Sequence, residues 1–129
     1  MSAAARLVDA LLVTGFPYDV HARVEEIVGL FGAFVGQARA VRRLGSAAID
    51  LCYVAAGRMD GFWETDLQPW DIAGGGLIVA EAGGRVTNTD GEPFTSRGGH
   101  VLATNGHLHD LMLGVILSFR AGRARRPSE

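Results

Sequence analysis

The chain has 129 residues, of which 48% are hydrophobic and 20% charged, with a formal charge of −2 at pH 7. That length is one domain's worth and that balance belongs to a globular core, which excludes a disordered chain and leaves no general pull toward nucleic acid or an anionic membrane. Cys52 is the one cysteine, so neither an intrachain disulfide nor a thiolate metal cluster can form.

All twelve cations are arginine, a uniformity that fits a compositional bias of the coding sequence and specifies no partner. The longest uncharged apolar-rich runs, 72–80 and 111–119, fall well short of the roughly 18 residues that span a bilayer. Leu7-Val-Asp-Ala-Leu-Leu-Val13 is interrupted by Asp9 and lacks a basic leader, so it does not read as a signal peptide. A soluble cytoplasmic protein is the expectation, with no membrane and no nucleic-acid partner.

Residues 7–14 read as a mostly buried strand, halted by Gly15-Phe-Pro-Tyr-Asp19. Apolar residues from Val20 to Val41 recur every three to four positions and predict a helix, weakened or closely packed at Gly29, Gly32 and Gly36. Gly45-Ser46 predicts a second helix running to about Ala56, capped by Ser46 and stopped by Gly57. Its expected apolar face is Ala48, Leu51, Cys52 and Ala55, which places Cys52 in the core.

Gly61-Phe-Trp-Glu64 reads as a short aromatic strand, and Pro69 opens a helix that Gly83-Gly84 ends near Ala82. Strands at Arg85–Asn88 and His100–Thr104 flank the turn Thr89–Glu92, and Asn105-Gly106 leads into a last helix through about Phe119. Arg120, Arg123, Arg125 and Arg126 then fall in a segment without an apolar face. The expected organisation is therefore an α/β domain over 1–119 and an Arg-rich flexible tail over 120–129. Alternation of strand and helix argues a layered α/β fold with a mixed or largely parallel sheet flanked by helices.

Glu64 ends a strand and Asp71 lies in the first turn of the next helix, so two carboxylates can converge at one strand-to-helix junction, where open α/β sheets hold ligands. Each has an ordinary explanation as well: a first-turn Asp caps free N–H groups and opposes the helix dipole, and a strand-end Glu is often simply solvated. Two carboxylates suit a hard cation such as Mg²⁺, which takes oxygen ligands, but they do not complete a shell. The helix start at Gly45-Ser46-Ala47 offers backbone N–H groups to a phosphate or hydroxyl oxygen, and capping explains Ser46 equally well. His107 and His109 splay apart as an i, i+2 pair, Glu25-Glu26 reads as a solvated edge, and no serine or cysteine has a base arranged beside it.

Taken together, Thr14-Gly-Phe-Pro-Tyr-Asp19, Arg43-Leu-Gly-Ser-Ala-Ala-Ile-Asp50, Asp60-Gly-Phe-Trp-Glu64, Pro69-Trp-Asp-Ile-Ala73 with Glu81-Ala-Gly-Gly84, and Ala103-Thr-Asn-Gly106 resemble, in order and spacing, the carboxy-terminal half of the inositol monophosphatase family. The resemblance covers nearly the whole chain. It implies the carboxy-terminal part of that sugar-phosphatase fold and Mg²⁺-dependent hydrolysis of a phosphate monoester, an inositol phosphate or related sugar phosphate. It also implies that Asp71 is the catalytic metal ligand and also binds substrate, lying near the sugar hydroxyl next to the scissile phosphate, that Glu64 binds a substrate hydroxyl, and that Gly45, Ser46 and Ala47 contact substrate.

The family's amino-terminal Glu-Glu and Asp-Pro-x-Asp-Gly-Thr motifs do not occur in the 129 residues. Glu25-Glu26 follows the Gly-Phe-Pro-Tyr-Asp segment and so stands on the wrong side of the motif order. With one metal ligand left, little or no activity is expected of this chain alone, with Mg²⁺ weakly held or absent. Faces that would meet the missing half should be apolar and exposed, favouring a homo-oligomer or a completing partner. The alternative is a non-catalytic interaction domain that keeps the fold.

Overall fold

The computed structural model describes residues 1–125. Five strands form one mixed sheet in the order β2-β1-β3-β5-β4. The strands are β1 (Leu11–Thr14), β2 (Ala40–Arg42), β3 (Gly61–Glu64), β4 (Arg85–Thr87) and β5 (Val101–Thr104); the helices are α1 (Val24–Val35), α2 (Ala47–Ala55), α3 (Pro69–Glu81) and α4 (His109–Ala124). β1 runs parallel to both β2 and β3, whereas β5 is antiparallel to β3 and to β4. The parallel strands therefore deliver Thr14, Arg42 and Glu64 to one edge of the sheet.

Alternation along the strands sorts the core into two halves. Leu12, Trp63 and Leu102 face α1 and α4, packing with Leu30, Phe34, Met112 and Ile116. Val13, Phe62, Val101 and Ala103 face α2 and α3, packing with Leu51, Val54, Ile72 and Val79. The register that pairs Phe62 with Ala103 and Trp63 with Leu102 keeps each set on its own side. Phe34 stacks on Trp63 with ring centroids 4.1 Å apart. Each such fully buried side chain contributes about 1.5–3 kcal/mol.

Four readings of the sequence change. The first strand begins at Leu11, because Leu7–Asp9 makes a single 3-10 turn closed by Ala10 N–H to the Leu7 carbonyl. The first helix starts at Val24 and ends at Val35, and the apolar run beyond it crosses a turn at Gly36–Arg39 and becomes β2 at the sheet edge. Cys52 is exposed; Asp50, Leu51 and Val54 are the inward residues of α2. The last helix runs to Ala124, carrying Arg120 and Arg123, and Arg120 is pinned to Asp90 Oδ1 at 2.8 Å and to Thr89. Residues 126–129 of the expected tail, with Arg126, lie outside the described residues.

Candidate functional site

The expected groove lies at the edge where β1 and β3 end. Its floor begins at Gly45, held at φ 91°, a left-handed conformation that glycine adopts without strain. The chain then turns into α2, where the Ser46 side chain accepts from Ile49 N–H at 3.3 Å as a helix cap. On the opposite wall Pro69 occupies the first turn of α3 and Asp71 Oδ2 accepts from Gln68 N–H at 3.0 Å, closing the helix start from its own side chain. Both ordinary capping roles are thus present.

Those two helix starts and the end of β3 enclose an open groove of ≈ 570 Å³ whose lining includes Gly45, Ser46, Ala47, Glu64 and Asp71. All five residues singled out in the sequence share this one feature. Glu64 also borders a smaller apolar cavity of ≈ 140 Å³ on the α1/α4 side, bounded by Phe16, Leu30, Trp63 and Phe119. Gly15, Phe16 and Glu64 line both.

Burial pushes the Glu64 carboxyl up to about 7, with the negative charges of Asp50 and Asp71 adding to the effect and Arg43 opposing it. Near neutral pH the group is therefore divided between an acceptor and a hydroxyl donor, either of which can bind a polyol hydroxyl. Arg43 supplies the positive charge at the mouth, its guanidinium 3.9 Å from the centre of the Phe16 ring. Asp66, the remaining carboxylate of the lining, is held by Arg23.

The donor set does not by itself fit a divalent metal. Among the described residues no three His, Cys, Asp or Glu side chains are grouped to hold an ion, whereas Mg²⁺ takes a near-octahedral oxygen shell. Other candidates lie elsewhere. His109 is fully buried, bridging Thr87 Oγ1 at 2.8 Å and Thr104 Oγ1 at 3.0 Å, and burial, with Arg85 adding, pushes it down to about 4, so it is a neutral structural link. His107 and Glu25 are exposed, and Glu26 is tied to Arg23 at 2.8 Å.

Three residues that shape the groove escaped the sequence reading. Gly15 gives Glu64 its place, since a Cβ there would lie 2.2 Å from Glu64 Oε1. Arg43 was visible only as a neighbour of the Gly45 turn. Asp50 did carry a signal: it is a charged residue one position before Leu51 and four before Val54, on the face that packs inward.

Among the described residues, no helix is long and apolar enough to cross a membrane. The sequence model of the inositol monophosphatase family matches residues 1–118. The chain is 47% identical over 109 residues to an inositol-1-monophosphatase of Synechocystis sp., covering 84% of this chain and 38% of that protein. It is 42% identical over 109 residues to the Nus factor SuhB of Pseudomonas aeruginosa, covering 83% and 40%. The solved structure of inositol monophosphatase from Anabaena (Nostoc) sp. superposes with a TM-score of 0.86 at 41% identity, over 91% of this chain and 46% of that one. The chain thus spans less than half the length of these relatives. This match over nearly its entire length places the chain in the inositol monophosphatase family.

Proposed function

We propose that this chain is the carboxy-terminal part of a Mg²⁺-dependent, cytoplasmic phosphomonoesterase acting on an inositol phosphate or related sugar phosphate, with little or no turnover of its own. The observation that carries the reading is the convergence of Glu64, Asp71 and the Gly45–Ala47 helix start on one groove. In this reading Asp71 contributes one metal ligand, Glu64 binds a hydroxyl of the sugar, and the backbone at Gly45, Ser46 and Ala47 holds substrate oxygen. The remaining ligands and the group that positions water come from an amino-terminal half or from another chain. Mg²⁺, when bound in a completed site, supplies activation of water and stabilisation of the leaving oxygen.

A second reading, a non-catalytic oligomerisation module, is favoured by the surface: on α3, Trp70 at the groove is 78% exposed and Leu77 61% exposed. Phosphate release from inositol 1-phosphate, with and without Mg²⁺, in wild type and Asp71→Ala, separates them. No turnover is expected from either protein alone, and Mg²⁺-dependent turnover lost in Asp71→Ala is expected once the amino-terminal half is added. Failure of the mixture, together with a stable self-associated chain indifferent to Mg²⁺, would establish the interaction module instead.

A further inference from the structure

Asp50 is 1% exposed, and neither carboxylate oxygen has a hydrogen-bond partner among the described residues. Buried carboxylates are ordinarily paired or hydrogen-bonded, so an orphan of this kind calls for a reason. The elements packed on α2 are α3, β1, β3 and β5. None of them, nor α2 itself, contains an arginine or histidine; their charged residues are Glu64 on β3 and Asp71 and Glu81 on α3, all negative. Arg43, in the loop before α2, is the nearby cation and acts on Glu64. Among the described residues, no counterion stabilises an ionised Asp50.

The main chain of Asp50 is tied to the groove. Its N–H donates to the Ser46 carbonyl at 2.9 Å, closing the first turn of α2, and Ser46, Ala47 and Ala48 line the groove floor. We propose that Asp50 is a proton-operated support of the groove floor: neutral, it stays buried and holds the first turn of α2; ionised, it draws toward water and loosens that turn, withdrawing the backbone at Gly45–Ala47. The inference goes beyond phosphate-ester hydrolysis and concerns the groove whichever reading of function holds.

Burial raises the Asp50 carboxyl to about 6. Because the folded value lies above the ordinary carboxylate value, the folded chain binds the proton more tightly than the unfolded one. The resulting stabilisation is full at acid pH and is lost as pH rises through about 6. Glu64, raised for related reasons, titrates nearby and must be separated from it.

The test is carbon-13 detection of the Asp50 carboxyl together with the backbone amides of Gly45–Ile49 in the intact chain, titrated across neutral pH, in wild type, Asp50→Asn and Glu64→Gln. The expected result is a wild-type Asp50 midpoint near 6 with the amides shifting and broadening in step. The step should persist in Glu64→Gln and vanish in Asp50→Asn, whose amides keep their acid-pH positions. An Asp50 carboxyl titrating in the ordinary range would overturn the proposal by showing that an internal donor holds it ionised. So would a neutral midpoint with unmoved amides. Should Asp50→Asn not fold, the wild-type carboxyl and amide curves, read beside Glu64→Gln, decide the matter alone.

Discussion

Gly15 has no side chain, and the Glu64 carboxyl occupies the space one would fill, with a built Cβ 2.2 Å from Oε1 and 2.7 Å from Cδ. The atoms that must give way are the far end of a flexible side chain, so Gly15→Ala displaces Glu64 rather than unfolding the sheet. The expected outcome is a stability change within about 1 kcal/mol and a larger change in Glu64 itself. Pushed outward, its carboxyl is rehydrated, and burial is the leading reason that it sits near 7. Its midpoint should therefore fall toward the ordinary glutamate value, which carbon-13 titration of Glu64 in the two proteins reads directly. An unchanged midpoint would show that charge repulsion from Asp50 and Asp71, not burial, sets the value.

Between elements, one tight constraint is the approach of α3 to α2. A Cβ on Gly75 would lie 2.6 Å from Leu51 Cδ1 and 2.7 Å from Leu51 Cβ, whereas one on Gly74 meets nothing within 4 Å. Either substitution by alanine gains about 1 kcal/mol of helix propensity. At Gly75 overpacking against the stem of a fully buried leucine costs about 1–3 kcal/mol, which outweighs the gain. Thermal unfolding is expected to show Gly75→Ala destabilised and Gly74→Ala equal to wild type or more stable; the reverse order would mean that the helices slide freely.

α3 was legible in the sequence because its ends are local: Pro69 sets the start, Gly83 the stop, and both hold in the structure. β2 was not, because Val35, Ala38 and Val41 continue a helical apolar spacing past Gly36, and only pairing with β1, a partner some thirty residues back, makes the segment extended. Leu7–Asp9 hid in the same way inside an apolar run that continues into β1. The groove residues Asp71 and Ser46 were readable for the reason α3 was, since each sits at an element start marked by Pro or Gly, and Glu64 as the last residue of a short aromatic strand. Gly15 and Arg43 act through neighbours distant in sequence, which no local pattern displays, while Asp50 showed only as a charge on the inward face of α2.

At the scale of the molecule, both helix layers turn apolar residues outward. Val24, Val28 and Val35 on α1 and Leu111 and Leu117 on α4 are 40–51% exposed, and Trp70, Leu77 and Ile78 on α3 are 48–78% exposed. Scattered exposed apolar residues are ordinary on a monomer, but eight large ones on three helices leave apolar area of the kind that interfaces cover. A net charge of −2 offers little repulsion to keep copies apart. The chain alone is expected to sediment as a dimer or larger species. Under the proposed function, an amino-terminal half of a family relative, expressed separately and added, should convert it to a one-to-one complex if that half covers this apolar surface, and should complete the metal donors, of which the described residues group no three. Sedimentation velocity with a phosphate-release assay on the same sample distinguishes the outcomes. Complex formation with Mg²⁺-dependent turnover identifies a split phosphatase; complex formation without turnover leaves the interface correct and the assignment of Asp71 wrong. A monomer that ignores the added half would refute the interpretation of these exposed residues as an interface.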